Sequence, residues 1–193
     1  MVALTEPQVH LWTYEEYIKL LEAGLFEGKR VELIGGQIFE MPAMKEPHAT
    51  ALKLTEKKLE ILFGEGYFAR VQSPLLTNGT VGAPEPDIAI VRGHPRDYLK
   101  EHPRSAALVV EIADTSLEHD RTRKLVEYAK AGIADYWILN LNTRQLEVYR
   151  MPSSGGQYRN HYGYSSMTVL HENELVSPLA SPQNALQVSE LLP

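Results

Sequence analysis

Cysteine is absent from the 193 residues, so disulfides and thiolate metal ligands cannot contribute, and zinc-ribbon or Cys-nucleophile chemistry is excluded. Nowhere do eighteen apolar residues follow one another, and Met1 to His10 carries Glu6 and Pro7 where a signal peptide needs a basic start and an apolar run. The expected setting is therefore cytoplasmic, without membrane contact. An excess of positive charge is also missing, since the formal charge is −6. That argues against coating nucleic acid non-specifically, a mode that depends on many Lys and Arg facing phosphates. It leaves a nuclease open, because a metal-dependent site brings its own carboxylates. Two segments are richer in cations, Arg92, His94, Arg96, Lys100, His102 and Arg104, then Arg121, Arg123, Lys124 and Lys130. Solvated surface is the plain reading of both. No Pro/Ser/Gly-rich linker or charge block divides the middle of the chain, so one domain over 1–193 is expected.

With 44% hydrophobic residues the chain can build one core. Thr13 to Glu16 has the form of a capping box, and Tyr14, Tyr17, Ile18 and Leu21 follow at helical spacing, which predicts a helix to about Leu25. From Arg30 the pattern alternates, with Val31 and Leu33 on one side and Glu32 on the other, then Gly35-Gly36, then Gln37 to Met41: a β-hairpin with a turn that needs positive φ. After a Pro42 to Pro47 loop, His48 to Phe63 reads as a second helix. Tyr67 to Val71 and Pro74 to Thr77 read as strands, with a turn at Asn78-Gly79. Ile88 to Val91 and Ala106 to Ile112 are short apolar runs, the second apolar on both faces except at Glu111. Thr115 to Glu118 offers another capping box, with a helix carrying Lys124, Leu125, Tyr128 and Ala129 up to Gly132. Strands are expected at Asp135 to Leu141 and Gln145 to Met151, a loop at Ser153 to Gly156, and further strands within Tyr158 to Leu170.

The informative residues are acidic ones where the pattern predicts burial. Glu111 interrupts the most apolar strand, and Asp87 opens another behind Pro84-Glu85-Pro86. A buried charge without a partner costs several kcal/mol. Taken singly, Glu111 could be a salt bridge to Lys124 or an arginine, and Asp87 a turn residue. Taken together, two carboxylates ~5 Å apart on neighbouring strands would repel by roughly 3 kcal/mol at an effective dielectric near 20. Either one protonates or a cation sits between them, and Mg²⁺ is the usual ion for one or two carboxylates plus water and phosphate oxygens.

Glu-Pro-Asp at 85 to 87 followed by Val-Val-Glu-Ile-Ala at 109 to 113 resembles the PD-(D/E)xK superfamily of restriction-endonuclease-like nucleases. More narrowly, the chain resembles the Uma-type restriction endonuclease family. The segments that carry this are Arg-Val-Glu-Leu-Ile-Gly-Gly (30 to 36), the Pro-rich loop ending in His48, the Asp87 and Glu111 strands, a helix with Asp120, Lys124 and Tyr128, Gly132, and Asp-Tyr-Trp-Ile (135 to 138). The resemblance covers roughly 12 to 150, with a β-rich extension over 151–193. It implies a mixed α+β fold, with a restriction-endonuclease-like core of a central mixed sheet flanked by helices, and additional N-terminal and C-terminal strands.

The resemblance also implies roles. Asp87, Glu111 and Glu32 would hold Mg²⁺ or Mn²⁺, Glu32 directly or through water; from alternation alone, Glu32 is equally an exposed strand glutamate. The superfamily lysine belongs at the position of Ala113, and its role passes to Lys124, whose plain alternative is a helix pair with Asp120. His48 would contact substrate phosphate or assist proton transfer, or simply begin a surface helix. Tyr128 and Trp137 read as core. The expected activity is DNA phosphodiester hydrolysis, with DNA as substrate and a homodimer by analogy. The alternative is an inactive nuclease-like fold that binds nucleic acid or a partner protein.

Overall fold

The computed structural model describes residues 6–155 and 158–193. Helix α1 spans Tyr14–Glu22 and opens on the expected box: the Thr13 side chain accepts from Glu16 N while the Glu16 carboxylate accepts from Thr13 N. It stops short of Leu25 because Gly24 takes φ +76°. Strands β1 (Val31–Ile34) and β2 (Gln37–Glu40) form the hairpin, with Gly35 and Gly36 both at positive φ. Helix α2 spans Glu46–Phe63, two residues earlier than expected, since Pro47 fits its first turn, where no N–H is needed.

The main sheet has six strands in chain order: β3 (Tyr67–Val71), β4 (Ile88–Arg92), β5 (Leu108–Ala113), β6 (Asp135–Asn140), β7 (Gln145–Gly155) and β8 (Tyr158–His171). Only β5 and β6 pair in parallel, which makes the sheet mixed. Between those two runs a helical stretch, α3, made of Leu117–His119, a π-helical turn Asp120–Lys124, and Leu125–Lys130. A small pair, β9 (Leu175–Val176) and β10 (Leu186–Gln187), closes the tail.

Alternation along β4, β5 and β6 sends successive side chains to opposite faces. On one face Ile88, Ile90, Val110, Ile112 and Trp137 pack with Leu52 and Leu59 of α2 and with Val188 and Leu191 of the tail. On the other, Ala89, Val109, Tyr136 and Ile138 pack with Tyr128 and Ala129 of α3. Tyr17, Val31, Leu33, Leu76 and Ala83 form a third cluster beneath α1 and the hairpin. Among the described residues no helix is long and apolar enough to cross a membrane.

Three local expectations fail, each for a backbone reason. Pro74 to Thr77 is not a strand: the N–H groups of Leu75, Leu76 and Thr77 go to Pro84, Pro103 and Gly82, three separate places. Thr115 to Glu118 is not a capping box; Ser116 precedes the helix in a helical conformation, and its hydroxyl donates to Asp120 Oδ2 at 2.7 Å. Ser153 to Gly155 belongs to β7, paired with β8, and not to a loop; Gly156 lies outside the described residues.

Candidate active site

The β4–β5 register, with Ile88 opposite Val110, carried one residue further sets Asp87 against Glu111. Both carboxylates therefore reach the α3 side of the sheet. The backbone ties them together: Asp87 N donates to Glu111 Oε2 at 3.2 Å, and Ile112 N donates to Asp87 Oδ2 at 2.9 Å. Glu32 arrives from the hairpin, which hangs on the segment before Asp87 through Ala83 N to Leu33 O, 2.8 Å, and Glu85 N to Glu32 Oε2, 3.2 Å. Glu32 has no exposed surface, so it is not an exposed strand glutamate.

Lys124 closes the group. Its Nζ lies 3.0 Å from Glu111 Oε1 and 3.3 Å from Glu32 Oε2, and its side chain is 3% exposed. It is not a surface charge, and its ion pairs within 4 Å among the described residues are with Glu111 and Glu32, with Asp120 acting from further off. The π-helical turn that carries it is an uncommon form that recurs at functional sites. At about 3 Å and an effective dielectric near 20, each attraction is roughly 5 kcal/mol, opposed by the cost of burying the ions. The cation that makes Glu32 and Glu111 tolerable as neighbours is thus the chain's own ammonium.

Around this sit Tyr128, Gln72 and His48, of which the sequence singles out only His48 for a role in the site. Tyr128 is core, as expected, yet its hydroxyl donates to Glu111 Oε1 at 2.7 Å; its place one helical turn beyond Lys124 was the available signal. Gln72 Nε2 donates to Asp87 Oδ1 at 3.1 Å, from a backbone held at φ +45°, and nothing in its sequence context marks it. His48 Nε2 lies 3.0 Å from the same oxygen, its ring N–H donating to the carboxylate, so it is engaged with Asp87 and does not merely begin a surface helix. Arg30 and Lys45, about a third and more than half exposed, stand at the rim of a cleft of about 40 Å³ lined also by Glu32, His48, Asp87, Glu111, Asp120 and Lys124.

Burial pushes Glu111 well above the ordinary carboxylate range, with Asp87, Asp120 and Glu32 acting the same way and Lys124 opposing. Burial acts upward on Asp87 as well, but the His48 bond and charge, Lys124 and the Ile112 N–H outweigh it and hold Asp87 below its usual value. Burial alone would lower Lys124; Glu111, Glu32, Asp120 and Asp87 together raise it, so the ammonium stays charged. Asp120 is pushed up to about 6, mainly by burial.

Whether these residues fit a divalent ion can be decided by counting lone pairs. A carboxylate offers about four acceptor sites. Asp87 Oδ1 takes His48 and Gln72, and Glu111 Oε1 takes Lys124 and Tyr128. Asp87 Oδ2 and Glu111 Oε2 each take one backbone N–H, which leaves one free site on each. Among the described residues no set of three or more His, Asp or Glu side chains can hold an ion by itself. Two hard oxygens completed by water and phosphate match the way Mg²⁺ is commonly bound, so the donor set fits.

A family model described as "Putative restriction endonuclease", Uma2, matches residues 14–189. A solved structure of a "putative nuclease belonging to DUF820" from Anabaena variabilis ATCC 29413 superposes with a TM-score of 0.71 at 18% identity, covering 93% of this chain and 96% of that one. At that identity the likeness shows the fold alone. No curated protein matches the chain.

Proposed function

Because the chain belongs to the Uma2 family, described as "Putative restriction endonuclease", we propose that it is a Mg²⁺- or Mn²⁺-dependent endonuclease hydrolysing DNA phosphodiester bonds. The observation that carries this is the pairing of Asp87 with Glu111 across two strands, each with an oxygen free to accept, beside a buried ammonium. Asp87 and Glu111 would hold the ion. Such an ion supplies Lewis acidity toward a phosphoryl oxygen and makes water acidic enough to act near neutral pH.

The chain's own residues do the rest. His48 and Gln72 fix Asp87 in one orientation and keep it ionised. Glu32 fixes Lys124, and the Lys124 ammonium stabilises negative charge that develops on the phosphate beside it. Arg30 and Lys45 meet the phosphates flanking the scissile one. The competing reading, a fold that binds nucleic acid or a partner protein without cutting, is favoured by Ala113 at the motif lysine position and by the net charge of −6. Lys124, which reaches the cluster from α3, supplies the ammonium that Ala113 lacks.

In a titration of plasmid DNA with Mg²⁺ or Mn²⁺, the wild-type chain should cut and Asp87→Ala should cut at least about 10²-fold more slowly, the scale of losing one essential electrostatic element. Cutting that survives Asp87→Ala would sink the assignment. Mn²⁺ binding without cleavage of any DNA or RNA would hand the site to the non-catalytic reading.

A further inference from the structure

Resting on the reading of this cluster as a metal centre, we infer that it takes one divalent ion per chain and not two, because the Lys124 ammonium occupies the place where a second ion would bridge Glu32 and Glu111. A pair of catalytic ions a few ångströms apart needs carboxylate oxygens that face both of them. Here the oxygens of Glu32 and Glu111 that share Lys124 are both held by it. Glu32 Oε2 accepts the Glu85 N–H and lies 3.3 Å from Lys124 Nζ as an ion pair, while Glu111 Oε1 accepts from Lys124 Nζ and the Tyr128 hydroxyl.

The ammonium cannot easily step aside. Its side chain is 3% exposed, and its ion-pair partners are these two carboxylates. A divalent ion arriving between them would meet a fixed positive charge within contact distance. On the neighbouring pair, Asp87 Oδ2 and Glu111 Oε2 each still have room to accept, and together they define one position. Glu32 retains Oε1, which has no hydrogen-bond partner and lies 3.8 Å from Arg30 Nη2. One oxygen of one carboxylate does not make a second site. Glu32 is therefore a positioning residue: its charge holds Lys124 over the cluster and does not ligate metal.

Mn²⁺ bound per chain decides the matter without reference to turnover. It would be counted by calorimetry and by electron paramagnetic resonance, on the protein alone and with an uncleavable phosphorothioate duplex. One ion per chain with an uncoupled spectrum is expected in both. Two ions, or a dipolar-coupled pair, would overturn the inference and leave the proposed activity standing; no ion at all would overturn both. In Lys124→Met, which frees the facing oxygens, the count should rise from one to two, and a folded variant that stays at one also overturns it. Should that variant fail to fold, the wild-type count suffices.

Discussion

Glu111 on β5 and Asp135 on β6 are both acidic residues buried in adjacent parallel strands of one sheet, yet they are satisfied in opposite ways. Asp135 Oδ1 accepts from Trp137 Nε1 and Arg150 Nε, both at 2.8 Å, and Oδ2 from Leu179 N at 2.8 Å and Arg150 Nη2 at 3.4 Å. Four donors fill four acceptor sites, and the carboxylate staples the tail to the sheet. Glu111 and its neighbour Asp87 each keep an oxygen open toward a cleft. Burial of an acid is therefore not what marks a site. What marks it is a buried acid whose acceptor capacity the fold leaves incomplete.

The contrast can be broken most forcefully at Asp135. Asp135→Asn leaves Arg150 without its charge partner and should cost about 3 to 5 kcal/mol in urea unfolding, the usual range for breaking a buried pair. Mn²⁺ affinity of the folded fraction should not move, and a loss of metal binding there would erase the distinction. Next comes Asp120, whose folded pKa of about 6 stands above its ordinary 3.8. The folded chain then binds that proton more tightly than the unfolded one, so stability falls as pH rises from about 4 to about 6 and stays lower above. Asp120→Asn should accordingly gain up to about 3 kcal/mol at pH 7 and little at pH 4, in urea unfolding of EDTA-treated protein. Equal changes at both pH values would contradict it. The smallest effect belongs to Tyr128→Phe, which removes one of three donors to Glu111 and should cost about 0.5 to 1.5 kcal/mol. Its Mn²⁺ affinity should hold or rise, since an acceptor site is freed; a tenfold fall would show that the hydroxyl orients Glu111.

Much of this architecture is legible in the order of the amino acids. Burial of Glu111 follows from the apolar run around it, and the hairpin that brings Glu32 follows from Gly35-Gly36. The convergence of Asp87 with Glu111 needs only that two short strands be neighbours. Asp135 cannot be told from Glu111 by pattern, because its donors come from Arg150 and from Leu179, 44 residues away. Tyr128 satisfies an apolar pattern with its ring and hides a polar contact in its hydroxyl. From pattern alone Lys124 looks like one cation in a basic surface run, and only the resemblance singles it out, since a π-helical turn has no simple sequence mark and decides which side chains point inward. Pro74 to Thr77 has the composition of a strand, and only the distant partners of its N–H groups keep it out of the sheet.

Because Asp87 stands one residue before β4, opposite Glu111, the centre depends on the pairing alignment of those two strands. A slip by a single position would send the Asp87 side chain to the α2 side of the sheet and deliver Ile88 to the polar cleft. Misaligned chains would thus be inert as well as poorly packed, so that any hydrolytic activity in a preparation reports correctly threaded molecules alone.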